Sequence, residues 1–258
     1  MEFYPGFAIS SRADDMDFEY GDDVFHPQAE QRTLESIRAS LQDPTSNGPA
    51  IPYSIVMDVG RIQDKQAMLE RNLLFGAVTY AKGTIGKEPV RSQGHIHAIS
   101  PSCGSSTCEV YEIWDGEAFI YMQEYGDDDA GNCYAVHAKA GEVVIVPPGW
   151  VHATISANAK KPLTFGAWCV RDFGFDYDQV RAHHGIAFFP EVSEGKVIWK
   201  RNPHYQSATL HVIEAHDYPQ FQLESGKPIY TQFTEDPDRF LFVSQPKRKE
   251  KEWEEFHK

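Results

Sequence analysis

The sequence is poor in basic residues and in long apolar runs, and each shortage excludes a class of protein. Only 24 Lys and Arg stand against 38 Asp and Glu, which gives a formal net charge of -14. This balance argues against binding to a nucleic-acid backbone, which needs basic patches. No apolar run approaches the ~20 residues of a membrane-spanning helix, so we expect no membrane partner. The first residues lack the basic start and apolar stretch of a secretion signal, which predicts a cytoplasmic location.

Cysteine is also scarce, with four residues in a chain of 258. In a cytoplasmic protein of this size, scattered cysteines are typical of free thiols. Cys103 and Cys108 lie in one loop rich in Gly and Ser. A disulfide or a second metal half-site there stays open as an alternative, although no further Cys or His pair accompanies them.

The pattern of short apolar segments separated by Gly and Pro predicts a mainly β fold, a sandwich or a barrel. We expect an N-terminal arm over residues 1–50, with a helix over 29–41 that packs on the barrel. The barrel itself is expected over 51–205, and a C-terminal extension over 206–258. A single large domain with extensions suits this length.

Two histidines, His95 and His97, are the first indication of chemistry. In a strand, residues two apart face the same side, whereas a helix would place them about 200° apart. A strand would therefore point both imidazoles into the barrel. Alone, a His-x-His pair is common in exposed strands without metal, so its meaning depends on the residues that accompany it.

A carboxylate and a third imidazole come later in strand-like surroundings. Glu109 lies in an alternating segment that ends at Asp115-Gly116, a hairpin signal. An apolar strand over 142–146 leads through Pro147-Pro148-Gly149 to His152. Imidazole and carboxylate groups together are typical ligands of Fe, Mn, Ni and Zn. The sequence therefore predicts one divalent metal ion held by His95, His97, Glu109 and His152.

The spacing of these residues resembles both motifs of the cupin family. His-x-His followed by Glu-x6-Gly resembles the first motif, and Gly-x5-Pro-x-Gly-x2-His resembles the second. The resemblance implies a jelly-roll-like β-barrel. The chain departs from the pattern at Pro89, at Ser156 and in the long gap between His97 and Glu109, but no departure removes a ligand.

Further segments resemble the cupin-type glucose-6-phosphate isomerases of archaea and some bacteria. The matches are Gly-Lys-Glu at 86–88, Gly-His-Ile-His at 94–97, Glu-Val-Tyr at 109–111, Val-Pro-Pro-Gly-Trp-Val-His at 146–152, Asp-Tyr at 176–177, Gly-Ile at 185–186 and Asn-Pro at 202–203. They cover roughly residues 50–205 in the family's order. The resemblance implies an enzyme that interconverts glucose 6-phosphate and fructose 6-phosphate in glycolysis and gluconeogenesis.

The same resemblance implies roles for individual residues. The metal would be Fe²⁺ first, with Mn²⁺, Zn²⁺ or Ni²⁺ as alternatives, and the protein a homodimer. Glu109 would also carry a proton between C1 and C2 through a cis-enediol, with Tyr111 on the same strand face as a second catalytic candidate. A metal-assisted hydride shift is the rival route. The substrate, a hexose 6-phosphate, would contact the residues Thr79, Thr84, Ser92, Gly94 and Tyr177.

Other positions depart from this closer family. Phe175 replaces a family His, Cys169 replaces a family Tyr, and Gly149 replaces an aromatic residue of some members. Because the family His and Tyr are thought to assist near the sugar, Tyr111, Tyr177, His137 or a water would have to substitute for them. Two alternatives stay open: another cupin metalloenzyme, such as a dioxygenase or a different sugar isomerase, and a non-catalytic sugar-phosphate-binding cupin.

Overall fold

The computed structural model describes residues 3–172 and 174–256. Its strands are β1 (Ile9–Arg12), β2 (Asp17–Tyr20), β3 (Val24–Phe25), β4 (Glu30–Arg32), β5 (Tyr53–Met57), β6 (Gly60–Arg61), β7 (Leu73–Tyr80), β8 (Thr84–Ile85), β9 (Glu88–Pro89), β10 (Ile96–His97), β11 (Glu109–Asp115), β12 (Glu117–Gln123), β13 (Asp129–Lys139), β14 (Val143–Val146), β15 (Val151–Ser156), β16 (Leu163–Val170), β17 (Phe175–Asp176), β18 (Phe188–Ser193), β19 (Lys196–Arg201) and β20 (Ser207–Glu214). The α-helices are α1 (Leu34–Ile37), α2 (Lys65–Glu70), α3 (Asp178–Ala182), α4 (Ile229–Glu235), α5 (Leu241–Ser244) and α6 (Glu250–Glu254). The predicted mainly β class is therefore confirmed.

Two larger sheets form the body of the fold. One has six strands in the order β14-β11-β16-β7-β5-β4, and the other has four in the order β15-β12-β13-β20. Every pair in them is antiparallel except β13 with β20, which is parallel. Two-stranded pairs, among them β10 with β17 and β18 with β19, complete the described sheets.

The main core lies between the two sheets. One buried cluster combines Leu74 and Val78 from the six-stranded sheet with Ile120, Met122 and Val136 from the four-stranded sheet. Strand alternation sends every second residue of each strand into this layer. The arrangement is a jelly-roll-like sandwich, and the pairings among the described strands do not close it into one continuous barrel.

A second buried cluster covers the opposite face of the six-stranded sheet. There Phe75 and Trp168 of the sheet pack with Phe7 from the N-terminal segment and with Tyr230 and Phe233 from α4. In addition, β20 extends the four-stranded sheet. The division into arm, barrel and extension stays a prediction, but both outer segments contribute to the packed fold.

Two local predictions were wrong. Residues 29–41 do not form one helix, because β4 pairs with β5 and α1 is followed by a 3-10 turn over Arg38–Ser40. Sheet pairing at β4 thus overrides the helical spacing of the apolar residues. The Asp115-Gly116 turn is not a hairpin, because β11 pairs with β14 and β16 while β12 pairs with β13 and β15. The turn instead carries the chain from one sheet to the other.

The short helix α3 follows directly after β17. All four cysteines are free thiols, including Cys103 and Cys108. Across residues 3–172 and 174–256, none of the helices is both long and apolar enough to cross a membrane.

Candidate active site

Backbone pairing brings the three histidines together. His95 and His152 exchange both backbone hydrogen bonds, with N···O distances of 3.1 and 2.9 Å. His97 follows two residues later in β10, so its ring lies beside that of His95, with 5.4 Å between the ring centroids. The strand predicted for the His-x-His pair is therefore present, and it places both rings against β15.

Glu109 completes the group from the start of β11. Its Oε2 lies 3.2 Å from Nε2 of His97 and 3.2 Å from Nε2 of His152. One nitrogen or oxygen atom from each of the four residues lies within 4.8 Å of all the others. The His₃Glu cluster, as we call these four residues, is thus compact enough to surround one metal ion.

Hydrogen bonds behind the rings fix how two histidines are turned. Nδ1 of His97 lies 3.1 Å from the carbonyl oxygen of Thr107, and Nδ1 of His152 lies 3.1 Å from that of Trp150. A carbonyl oxygen can only accept, so each Nδ1 carries a proton, and Nε2 is the ring atom left to bind a metal ion. Histidine ligands of metals are typically oriented in this way.

The charges of the cluster call for a cation at its centre. Burial, together with the neighbouring imidazoles, lowers the pKa of His95 well below its usual range, and burial also lowers that of His97. Burial alone would raise the pKa of Glu109, but His152 and His97 hold it well below its ordinary value. The Glu109 carboxylate thus lies among three imidazoles in a buried site, and the buried Nε2 of His95 has no hydrogen-bond partner among the described residues. This donor set fits a divalent metal ion.

A cavity opens above the His₃Glu cluster, between the two sheets. Tyr111 and Cys169 line it together with Glu109. Burial raises the pKa of Tyr111 and that of Cys169 well above their usual ranges, and the Glu109 carboxylate raises both further. The phenol and the thiol therefore stay protonated and can donate hydrogen bonds, but they are poor bases.

Only two of the five residues expected to contact the substrate line the cavity. Ser92 and Tyr177 line the cavity. Thr79 does not, because the neighbouring Val78 and Tyr80 face the cavity and alternation turns Thr79 the other way. Its hydroxyl lies 3.2 Å from that of Thr164, on the far side of the sheet.

Thr84 and Gly94 also lie outside the cavity lining. Thr84 pairs with Pro89 in the β8–β9 ribbon. Gly94 has a φ of +90°, and a Cβ placed on it would lie 2.8 Å from Cγ2 of Ile186. Gly94 therefore lets the chain turn tightly before His95, which is a structural role.

Arg32 and Gln93 are among the polar residues of the cavity that the sequence did not predict. Gln93 follows Ser92, and its Oε1 accepts hydrogen bonds from Arg181 at 3.1 and 3.2 Å. Arg32 precedes the barrel in sequence, and its β4 strand was predicted as helix. No motif marks it, so only the pairing of β4 with β5 reveals its position.

The long gap after His97 forms a loop that is anchored at several points. Oγ of Ser106 donates to the carbonyl oxygen of His97 at 2.7 Å and accepts from the backbone N–H of Gly149 at 3.0 Å. Asp172 accepts from Ser100 at 2.7 Å. The gap therefore lengthens a loop while Glu109 keeps its place at the cluster.

The ring of Phe175 lies next to that of His95. Its ring meets that of His95 edge to face, with 4.4 Å between the centroids. It shields one side of the His₃Glu cluster, and an aromatic hydrocarbon at this position cannot transfer a proton. The centroid of the Tyr177 ring lies 5.8 Å from that of His95, so Tyr177 brings a ring with a hydroxyl group to the same side of the cluster.

A comparison with known protein families shows to which family the chain belongs. The family model for Glucose-6-phosphate isomerase (GPI) matches residues 32–208, more than half of the chain. The chain belongs to the GPI family. The resemblance seen in the sequence motifs is thus confirmed, and the match begins at Arg32, earlier than those motifs indicate.

Curated proteins named glucose-6-phosphate isomerase are similar to more than half of the chain. Glucose-6-phosphate isomerase of Thermococcus litoralis is 28% identical over 152 residues, which are 59% of this chain and 73% of that protein. Glucose-6-phosphate isomerase of Pyrococcus furiosus is 27% identical over 152 residues, covering 59% and 74% respectively. Both similarities span most of the relative and 59% of this chain.

Solved structures give weaker similarities. An oxalate oxidase structure has a TM-score of 0.37 and 15% identity, covering 51% of this chain and 59% of that one. Vicilin from Corylus avellana (hazelnut) has a TM-score of 0.36 and 12% identity, covering 51% and 33%.

Proposed function

We propose that this protein is a metal-dependent aldose–ketose isomerase that interconverts glucose 6-phosphate and fructose 6-phosphate. The observation that carries the proposal is the His₃Glu cluster at the base of a cavity, in a chain that belongs to the GPI family. The curated relatives bear the name of this activity. A buried carboxylate beside a metal site is also the group that an aldose–ketose isomerisation requires.

His95, His97, Glu109 and His152 would hold the metal ion. When bound, such an ion supplies Lewis-acid stabilisation to the substrate oxygens at C1 and C2. His95 and Glu109 also line the cavity, so two of these residues border the space in which a substrate would lie. The cluster is therefore suited to bind a substrate as well as a metal.

Glu109 would move the proton between C1 and C2. Its carboxylate is ionised, its Oε2 faces the two histidines, and it borders the cavity in which the substrate would lie. Tyr111, protonated and on the same face of β11, would donate a hydrogen bond near this carboxylate. A cis-enediol route uses both residues without a further base.

The direct test is a coupled assay with purified protein loaded with Fe²⁺, Mn²⁺, Zn²⁺ or Ni²⁺. We expect conversion of glucose 6-phosphate to fructose 6-phosphate that a chelator stops and added metal restores. Absence of conversion with all four metals would refute the proposed function. Oxygen consumption without isomerisation would instead indicate a dioxygenase.

Glu109→Gln should lower turnover by about 10²–10⁴-fold, because an amide cannot accept the proton. Metal content, measured by mass spectrometry, separates this loss from loss of the ion, since the amide oxygen can still act as a ligand. The exposed Glu35→Gln is the matched control and should keep normal turnover. A Glu109→Gln enzyme that retains metal and a near-normal rate would exclude Glu109 as the base.

Finer assignments belong to the same proposal. Fe²⁺ is the first candidate metal, because the resemblance to cupin-type isomerases favours it. A homodimer is proposed as well, and β20, the exposed edge of the four-stranded sheet, offers unpaired backbone groups to a second copy. Light scattering would test the dimer. The cytoplasmic location stays a prediction.

A further inference from the structure

One basic side chain stands out in the cavity. Among the described residues that line it, Arg32 is the only Arg or Lys. The protein as a whole has a net charge of -14, which repels an anionic substrate at long range. An anion that enters this cavity therefore depends on a local cation, and Arg32 is the candidate.

Arg32 reaches the cavity from the last residue of β4, the edge strand of the six-stranded sheet. It pairs there with Tyr53, whose side chain also lines the cavity. The side chain of Arg32 is 30% exposed, so it lies between the interior and the solvent. This is the entrance of the cavity, where the charge of the guanidinium is only partly screened.

The guanidinium is oriented but still able to bind. Nη1 of Arg32 lies 2.9 Å from Oε1 of Glu30, and Nη2 donates to Oε2 of Glu30 at 3.2 Å. Glu30 is mostly exposed, at 62%, so it is a weak, solvated partner that an incoming dianion can displace. A planar guanidinium matches the oxygens of a phosphate well, since it can donate two parallel hydrogen bonds.

A second cation supports the same region from behind. The guanidinium carbon of Arg181 lies 4.8 Å from the centre of the Tyr177 ring, and Arg181 also donates to Gln93. Both Arg32 and Arg181 act electrostatically on Tyr177. Tyr177 and Gln93 are therefore polar groups of the cavity that Arg181 holds in place.

The cavity offers a candidate metal site and a cation, the two kinds of group that would bind the two ends of a hexose phosphate. Tyr177 lies near the cluster, with 5.8 Å between its ring centroid and that of His95, and it lines the same cavity as Arg32. An open hexose chain with C1 and C2 at the His₃Glu cluster would place its far end toward Arg32. Thr79 faces away from this cavity, so the hydroxyl expected from the family resemblance cannot serve there.

We propose that Arg32 binds the phosphate group of the substrate and sets the preference for phosphorylated sugars. Ser92, Gln93 and Tyr177 supply neutral hydrogen bonds beside it. This assignment rests on the proposed function for the identity of the substrate. It adds a specificity residue from the N-terminal segment, ahead of all the sequence motifs.

The test is equilibrium binding of sorbitol 6-phosphate, an open-chain hexitol phosphate that cannot be isomerised, to the metal-loaded protein by calorimetry. Arg32→Gln should weaken this binding about 10- to 100-fold, since a hydrogen bond to a charged group contributes roughly 1.5–3 kcal/mol. Arg32→Lys should restore part of the affinity. Arg12→Gln is the control, because Arg12 has a similar carboxylate partner in Asp17 but lies outside the cavity lining.

A second, independent test uses the variant Glu30→Gln, in which Arg32 is intact. It should tighten the binding of sorbitol 6-phosphate several-fold, because it removes the carboxylate that competes for the guanidinium. In turnover assays, Arg32→Gln should raise KM for glucose 6-phosphate with little change in kcat, as expected when uniform binding is lost. Thermal melts of each variant verify folding.

The outcomes separate this proposal from the proposed function. Wild-type protein that binds sorbitol 6-phosphate in an Arg32-dependent way, yet catalyses no isomerisation, supports Arg32 and refutes the isomerase. Unchanged affinity in Arg32→Gln, or in Glu30→Gln, overturns the role of Arg32 even if the enzyme is an isomerase. Failure of the wild type to bind sorbitol 6-phosphate also overturns it.

Discussion

Two glutamates on β11 have pKa values shifted in opposite directions, because their side chains face opposite sides of the sheet. Glu109 points into the cavity between the sheets, where His97 and His152 hold its pKa low. Glu112, three residues later, points to the opposite face, where burial raises its pKa to about 8 against hydrogen bonds from Ile229 and Trp114. Alternation along β11 thus gives one ionised carboxylate at the site and one protonated carboxyl group in the core.

The raised pKa of Glu112 predicts that the free energy of unfolding falls as pH rises. Between its ordinary value of 4.5 and about 8, the folded protein holds a proton that the unfolded chain releases. Each pKa unit corresponds to about 1.4 kcal/mol, so the loss should reach several kcal/mol and level off above about pH 8. Urea denaturation at a series of pH values measures it.

The matching variant is Glu112→Gln, which has no proton to release. Its free energy of unfolding should lack this part of the slope between pH 5 and 8, whatever its absolute value. Equal slopes in the variant and the wild type would contradict the raised pKa. Glu35→Gln, an exposed change, serves as the control and should keep the wild-type slope.

At the scale of elements, β16 shows how closely the strands and aromatic rings pack. Gly166 lies opposite Glu112 of β11 and Ala77 of β7, in the centre of the six-stranded sheet. A Cβ at this glycine would lie 2.3 Å from Cζ2 of Trp114 and 2.7 Å from Cζ of Phe75. The two rings therefore occupy the space that a side chain on Gly166 would need.

Gly166→Ala should destabilise the protein by about 1–3 kcal/mol, because both rings must move in a packed core. For a chain of this size that corresponds to a melting temperature lower by roughly 3–10 °C. Gly174→Ala is the control, since its nearest neighbour would be the Cβ of Ala98 at 3.8 Å. Equal melting temperatures for both variants would show that the rings yield without cost.

At the scale of the whole molecule, the His₃Glu cluster joins separate parts of the fold. Glu109 belongs to the six-stranded sheet, His152 to the four-stranded sheet, and His97 to the β10–β17 pair. A metal ion held by all of them would link the two layers directly. Metal binding should therefore stabilise the global fold as well as the site.

Removal of the metal should lower the melting temperature. A ligand present at about 100 times its dissociation constant adds roughly 2.7 kcal/mol, or about 5–10 °C for a chain of this length. Differential scanning calorimetry with and without a chelator measures the shift, and added metal should reverse it. His95→Gln should show a smaller shift. An equal shift in that variant, or none in the wild type, would contradict the cluster as the metal site.

Local spacing in the sequence was enough to predict the β class, the grouping of the His₃Glu residues and the family. His-x-His needs only strand alternation to present two rings on one side, and the residues of the turn before His152 are adjacent in sequence. The same local logic placed Tyr111 on the face of Glu109. These features do not depend on how distant strands pair.

Only the tertiary structure decided which polar residues share the cavity with the cluster. Thr79 was expected at the substrate but faces away, since the register of β7 gives the cavity to Val78 and Tyr80. Arg32 was not expected there at all, and it arrives because β4 pairs with β5 at the edge of the sheet. Strand pairing across long separations depends on the packing of the whole core, so these positions could not be predicted from local spacing.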